Sequence, residues 1–490
     1  MTVILKRLAK LALVLYVFVF FYQLMRPFPE ELARPSPEYL VPASSIAFFA
    51  DETFINAKGE RVARQEVWDE IFRMIDRAEH LIVLDMFLYN SFQGDKPETM
   101  RALSEELTAK LIAKRESHPH IAIALITDPI NTAYDGDTAA HLNALRTAGI
   151  PVIPTNLGAL PDSNPLYSPI WRIFVQWFGN SDTGGWLPHP FQHGGDKVTL
   201  RTWLTLANFK ANHSKLIVAD QPAGKGKTAK RKMVTLVTSS NPHDGSSAHG
   251  NIAIRVDDQI WKSVLSSERS IAELSEAVTP LYDPNAIADA TDGPVRVSFL
   301  REESIRRDLL RVIGDAREGD SITMAMFYLS DRQIVRALID AGKRKVAIKV
   351  LLDPNKDAFG MEKNGIPNRP VAKELLKKGG RTVEVRWCDT HGEQCHAKLV
   401  RAFVGGKHYV MAGSANLTRR NIGGYNLEAN IAITSESEFP ALAEIDAYLS
   451  RAWSNSDTER YSADYSAYED TTFWKTSLYR IMERTGLSSF

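Results

Sequence analysis

Apolar residues along the chain gather in short runs, and the runs come in pairs. "LIVLDMFLYN" (81–90) and "SITMAMFYLS" (321–330) each predict an apolar strand ending in Met-Phe, at Met86-Phe87 and Met326-Phe327. "IAIALITDPIN" (121–131) and "VAIKVLLDPN" (346–355) each predict a β-branched strand that stops at Asp-Pro, with Asp128 and Asp353. "LRTAGIPVIP" and "LLKKGGRTVEV" each read as a helix end, a glycine stop and the next strand. A repeated order of this length predicts a tandem duplication of one α/β unit.

The pattern outside the repeat divides the rest of the chain. Lys6, Arg7 and Lys10 precede an apolar run from Leu11 to Met25, and Glu30 and Glu31 follow it. This predicts an uncleaved N-terminal transmembrane anchor (1–27) with the body outside the cytoplasm, in the periplasm of a bacterial source. A cleaved secretion signal is the rival reading. The first lobe is expected over 44–275, a linker over 276–294, the second lobe over 295–455, and a polar tail with an amphipathic helix over 456–490. Asp128 and His213 lie 85 positions apart, Asp353 and His396 only 43. The first half therefore carries an insert, roughly 155–208, dense in Trp171, Phe174, Trp177, Phe178, Trp186 and Phe191. Trp171, Phe174 and Phe178 sit at helical spacing, which suits a core, though such aromatics with Gly and Pro also suit a lipid-facing surface. In the last stretch, Trp474, Leu478 and Ile481 form an apolar stripe expected to dock on the body.

Charge and cysteine content narrow the picture slightly. With 59 basic and 59 acidic residues the net charge is zero, so no global field gathers a polyanion. Cys388 and Cys395 flank "DTHGEQ" just before His396. In an oxidising compartment they can close a small loop; free thiols are the alternative, and a metal site with His391 lacks Cys-x-x-Cys spacing.

The chemistry sits in the same duplicated frame. "NHSKLIVAD" holds His213, Lys215 and Asp220, and "CHAKLV" holds His396 and Lys398. Residues two apart on a strand share a face, so each pair aims an imidazole and an ammonium the same way. Ser239 and Asn241 follow the first pair, Ser414 and Asn416 the second, and further asparagines, Asn251 and Asn426, stand ten positions beyond each. Two His, two Lys and two Asn suit one anionic phosphodiester: Lys215 and Lys398 neutralise it, Asn241 and Asn416 donate to its oxygens, one imidazole attacks and the other protonates the leaving alcohol.

His-x-Lys-x4-Asp, with a second His-x-Lys and Gly-Ser-Ala-Asn, resembles the phospholipase D superfamily over nearly all of the chain beyond about Ser44. The resemblance implies an α/β architecture of two α/β/α sandwich lobes about a pseudo-twofold axis, with the site between them in one chain and hence a monomer. It implies two-step transfer through a phosphohistidine, with no metal and no cofactor. Ser239 and Ser414 join the phosphate-binding set, and His213 is the favoured nucleophile. The copies differ: Phe403 stands where the second Asp would be, Thr238 replaces a glycine, and Glu428, expected to orient a catalytic histidine, faces Ala253 in the first half. The superfamily includes phospholipases, phosphatidyltransferases and nucleases. The anchor, the aromatic insert and the zero net charge favour phospholipid and membrane as partners, with nucleic acid as the alternative. A degenerate scaffold is opposed by the paired His, Lys and Asn.

Overall fold

The computed structural model describes residues 2–33, 36–223, 230–280, 287 and 291–487. Among them the strands form two large mixed sheets of nine strands each. The centre of each sheet is the paired element of the sequence repeat. Leu81–Met86 lies antiparallel to Lys215–Pro222 with Met86 opposite Lys215, and Ser321–Met326 lies antiparallel to Lys398–Val404 with Met326 opposite Lys398. On the other side each Met-Phe strand pairs in parallel with its Asp-Pro strand, Ala122–Thr127 or Ala347–Leu352.

The alternation of side chains along these strands builds two kinds of core. Leu81, Val83, Leu216 and Val218 face inward and join Val297, Phe299, Leu399 and Val410 of the other sheet in one shared cluster. Their neighbours Ile82, Leu84, Ile217 and Ala219 face outward, into the helices over the first sheet. Helices Trp261–Leu274 and Pro440–Ser454 add to the shared layer, so each sheet has helices on both faces. Each buried aliphatic side chain contributes about 1.5–3 kcal/mol, which makes the face between the lobes a core and not a hinge.

The sheets also exchange edges. Glu38–Val41 pairs with Val295–Leu300 of the second sheet, and Glu459–Arg460 pairs with Ile46–Asn56 of the first. Ser462–Asp464 then returns to the second sheet beside Val383–Cys388. The polar tail is thus a strap across both sheets, with Tyr461 buried against Phe54 between its two strands. Of the expected linker, 281–286 and 288–290 lie outside the described residues.

Three expectations need correction. The N-terminal segment forms one helix, Thr2–Met25, yet among the described residues no helix is long and apolar enough to cross a membrane. Lys6, Arg7 and Lys10 break its first half, and the remaining Leu11–Met25 is only about 22 Å long against a hydrocarbon core of about 30 Å. Instead the helix leans on the insert: the Tyr16 hydroxyl donates to Leu166 O and the Arg26 guanidinium to Gly158 and Ala159 O. The aromatic insert is not core, since Phe174, Trp177, Phe178 and Trp186 are 57–74% exposed around a short π-helical turn, Trp171–Val175. The final helix, Phe473–Thr485, docks on the body through Leu478 of the stripe with Tyr479, Met482 and Glu483, while Trp474 and Ile481 of the stripe stay exposed.

Candidate active site

His213 and His396 each open a strand and each is pinned by the opposite lobe. The His213 N–H donates to Leu427 O (2.9 Å) and the His396 N–H to Gly250 O (2.8 Å). The residue before each histidine is held by the aspartate of its own Asp-Pro turn. Asn212 N donates to Asp128 (2.7 Å), and Cys395 N to Asp353 (2.8 Å). Burial pushes both carboxyls up, Asp128 to about 7 and Asp353 to about 6, against the pull of these N–H donors. The repeated Asp-Pro therefore positions the backbone ahead of each histidine. Asn212 is further gripped by Asp85 (2.8 and 2.9 Å), where the second lobe has Ala325.

The rings are held across the interface in a crossed arrangement. His213 Nδ1–H donates to Glu428, 2.9 Å to Oε1 and 3.0 Å to Oε2. His396 Nδ1–H donates to Asn251 Oδ1 at 3.1 Å. Serines support both acceptors, Ser414 Oγ on Glu428 and Ser239 Oγ on Asn251. The counterpart of Glu428 is thus Asn251, not Ala253. The strand registers agree, because Ala253 lies opposite Thr238 as Asn430 lies opposite Gly413. The loop of the first half is two residues shorter, so aligning the copies on their equally spaced asparagines misplaced the partner. Asn426 instead accepts from Ala211 N (3.0 Å).

Electrostatics follows from burial. Both imidazoles are pushed well below the usual histidine range, first by burial and then by Lys215 and Lys398. Burial lowers Lys215 to about 7, and burial with Lys215 beside it lowers Lys398 well below the usual lysine range, both partly offset by Glu428. Burial raises Glu428 to about 7, against Lys215 and its hydrogen bonds to Ser414 and Asn421. Each lysine donates to the carbonyl of its own histidine, at 2.6 Å for Lys215 and 2.8 Å for Lys398. With Nδ1 engaged, each ring keeps Nε2 for the cavity beside it. That cavity, of about 350 Å³, is lined by both His213 and His396, and by Asn241 and Asn416. Asn241 Oδ1 is spent on Leu88 N (3.1 Å), and Asn416 Oδ1 is buried with no partner among the described residues. Lys215, Lys398, Ser239, Ser414 and Glu428 stand behind these walls.

Residues 309–453, most of the second repeat, match the family model described as cardiolipin synthase, PLD-like domain. The second repeat therefore carries a phospholipase D-like domain. Its structure is similar to that of phosphatidylserine synthase from Haemophilus influenzae Rd KW20, with TM-score 0.57 and 10% identity, covering 93% of this chain and 96% of that one. Lower-scoring likenesses are to polyphosphate kinase from Porphyromonas gingivalis (0.48; 12% identity; 90% of this chain, 53% of that one) and the phospholipase D family member Nuc from Salmonella typhimurium (0.25; 21%; 34% and 97%). No curated protein sequence matches the chain.

Among the superfamily residues expected in the site, Asp220 does not belong there. It lies five residues along the strand from Lys215, roughly 17 Å away at a strand's rise. Its carboxylate accepts from the N–H groups of His80 and Leu81 (2.9 and 2.8 Å) and from Arg231 Nε (2.8 Å), clamping the start of the Leu81–Met86 strand. Phe403, at the matching place, is partly exposed and tilted against the His408 ring, so the second lobe does without the clamp. We expect Asp220→Ala to lower unfolding stability by about 2–4 kcal/mol, because the buried His80 and Leu81 N–H groups lose their acceptor and Arg231 keeps only Glu79 and Arg77 O, while kcat on a soluble diester stays within twofold. Denaturant unfolding and steady-state kinetics check this.

Sequence reading missed most of the cavity wall. The insert contributes Phe191 and Leu206, the segment that follows it contributes Phe209 and Lys210, and a hairpin of the second lobe contributes Phe359, Met361 and Lys363. Cys388 and Cys395 are joined in a disulfide just ahead of His396. Among the described residues no group of three His, Cys, Asp or Glu side chains is placed to hold a metal ion.

Proposed function

We propose that the protein is a phosphodiesterase or phosphatidyltransferase of membrane phospholipids that works through a phosphohistidine on His213. The carrying observation is the crossed pair of unequal dyads on one cavity, His213–Glu428 and His396–Asn251. A carboxylate on Nδ1 raises the basicity of the opposite ring nitrogen and stabilises the cation formed when that nitrogen bonds phosphorus. A neutral amide gives no such support, so the His396 imidazolium surrenders its proton readily. The negative charge of a bound phosphodiester favours that imidazolium despite burial.

The steps balance. The Nε2 lone pair of His213 attacks phosphorus as the bond to the leaving alcohol breaks, and His396 Nε2–H gives its proton to the departing oxygen. Neutral His396 then takes a proton from water or a second alcohol, whose oxygen attacks phosphorus and breaks the P–N bond. Asn241 Nδ2 and Asn416 offer donors to the nonbridging oxygens, and Lys215 and Lys398 supply positive charge from behind.

A lipid substrate is favoured by the apolar wall that Phe87, Leu88, Ile130, Phe191 and Phe209 place around the dyads. The N-terminal helix exposes Leu11, Val14, Phe18 and Phe21 and is bonded through Tyr16 to Leu166 of the insert, which exposes its own Trp177, Phe178 and Trp186. We read this surface as one that lies in a membrane interface, not across it. The disulfide favours an oxidising, extracytoplasmic compartment, and both half-sites in one chain favour a monomer. Trp177→Ala/Phe178→Ala/Trp186→Ala should weaken sedimentation with anionic vesicles by about tenfold or more, since each buried aromatic contributes roughly 1.5–3 kcal/mol. Turnover of detergent-dispersed lipid should not change.

The function is tested by incubating the full-length protein with labelled phosphatidylglycerol and phosphatidylethanolamine, and in parallel with single-stranded DNA. Phosphatidic acid or cardiolipin supports the proposal. Nucleotide release without lipid products replaces it with a nuclease.

A further inference from the structure

The two halves differ at a second place, independent of the dyads. After Asp128-Pro129 the first lobe makes a tight turn that puts Ile130 and Tyr134 in the cavity wall. After Asp353-Pro354 the second lobe makes a hairpin, Asp357–Ala358 against Met361–Glu362. The hairpin reaches across to the first lobe, where Gly94 N and Lys96 N donate to Phe359 O (2.7 Å) and Gly360 O (3.3 Å). So anchored, it delivers Lys363 to the cavity.

The surroundings of Lys363 set it apart. Its backbone N–H is fixed on Lys356 O (2.8 Å), and its ammonium donates to the Tyr328 hydroxyl over the rings of Tyr328 and Phe327. Among the described residues no carboxylate forms an ion pair with it. By contrast Lys210, also in the wall, is held by Asp162. Phe327 places Lys363 with respect to the chemistry. That ring is 4.9 Å from the His396 ring, 5.3 Å from Lys398 Nζ and 5.8 Å from Lys363 Nζ. Lys363 therefore stands on the His396 side, where the alcohol leaves phosphorus or joins it. This half-buried ammonium in a largely apolar wall acts on the buried Asp353 carboxyl only through space, so a ligand anion can still pair with it directly.

We infer that Lys363 binds a carboxylate or phosphate carried by the alcohol half of the substrate, so that the enzyme selects headgroups with an anionic group beyond the scissile diester. This rests on the lipid reading above and adds a specificity residue to it. The step itself is binding only; no bond changes.

The test compares the full-length protein with Lys363→Met and Lys363→Arg in mixed micelles of fixed surface charge. Phosphatidylserine presents the carboxylate, cardiolipin a second phosphodiester and phosphatidylcholine neither; bis(p-nitrophenyl) phosphate serves as a headgroup-free control. Lys363→Met should lower kcat/KM on the anionic headgroup or headgroups that use this contact by on the order of 10–100-fold, chiefly through KM. Phosphatidylcholine and the control should change less than about threefold, and Lys363→Arg should restore most of the loss. Loss on phosphatidylserine alone, or on cardiolipin alone, names the anion. Equal loss on every ester, or none on any, overturns the role of Lys363. Cleavage of the control by the unmodified protein with no lipid turned over overturns the lipid reading and this inference together, while leaving the dyads standing.

Discussion

His396→Ala is expected to trap a covalent phosphoryl group on His213, and His213→Ala to form none. The reasoning starts from the partners of the two rings. Glu428 braces His213 with a charge, so an Nε2–P bond, which makes that ring cationic, is stabilised in place. Asn251 braces His396 with a dipole only. With p-nitrophenyl esters the leaving group departs without an acid, so removing His396 spares the first step. Breakdown then lacks the base that activates water and should slow by about 10²–10⁴-fold. The measurement is a burst of one nitrophenolate per enzyme, followed by intact-mass and peptide mapping of the adduct. His213→Ala should show no burst and lose at least about 10³-fold in kcat/KM. A phosphoryl group mapped to His396 in the His213→Ala protein would falsify the assignment and exchange the two roles.

What could be read from the sequence was whatever the duplication wrote twice. Met86-Phe87 and Met326-Phe327, Asp128 and Asp353, and the two His-x-Lys pairs all occupy equivalent places in the two sheets. Each short pattern survives because a strand or a tight turn leaves little room for insertion inside it, whereas the segments between them differ in length, 85 positions against 43 from Asp-Pro to His. Asn251 escaped because two residues are missing from one loop, and a count of positions cannot see which copy shortened. The N-terminal run was misread because its apolarity and preceding charges suit an anchor, whereas its length and its seat on Leu166 do not. Phe174 and Phe178 hold a helical spacing that predicts a buried stripe, but both stay more than half exposed, and periodicity carries no information about whether a partner exists. Lys363 and Phe359 reach the cavity only because a hairpin crosses between lobes, a tertiary fact with no local pattern. Asp220 shows the reverse error: a residue inside the motif that serves the strand and not the site.

The asymmetry of the dyads also sets the pH dependence, and Glu428→Gln is expected to remove its acidic limb. Burial raises the Glu428 carboxyl from about 4.5 to about 7, with Lys215 and the hydrogen bonds from Ser414 and Asn421 pulling the other way. Below about pH 7 the group becomes neutral and no longer stabilises a charged His213, so kcat/KM should fall with an apparent pKa near 7. Glu428→Gln should lower kcat/KM by about 10²-fold and flatten that limb, since an amide keeps the hydrogen bond and carries no titration. Asn251→Asp works on the other ring: a carboxylate beside His396 raises its imidazolium, so the basic limb should move to higher pH. Stability follows the opposite sign from activity. A carboxyl raised on folding stabilises the native state most below about pH 4.5, and that contribution is lost as pH rises through about 7. The Tm of the unmodified protein minus that of Glu428→Gln should therefore shrink between about pH 5 and pH 8, as the buried carboxylate ionises. A gap that widens over this range would mean that Glu428 is ionised throughout it, and that the acidic limb belongs to another group.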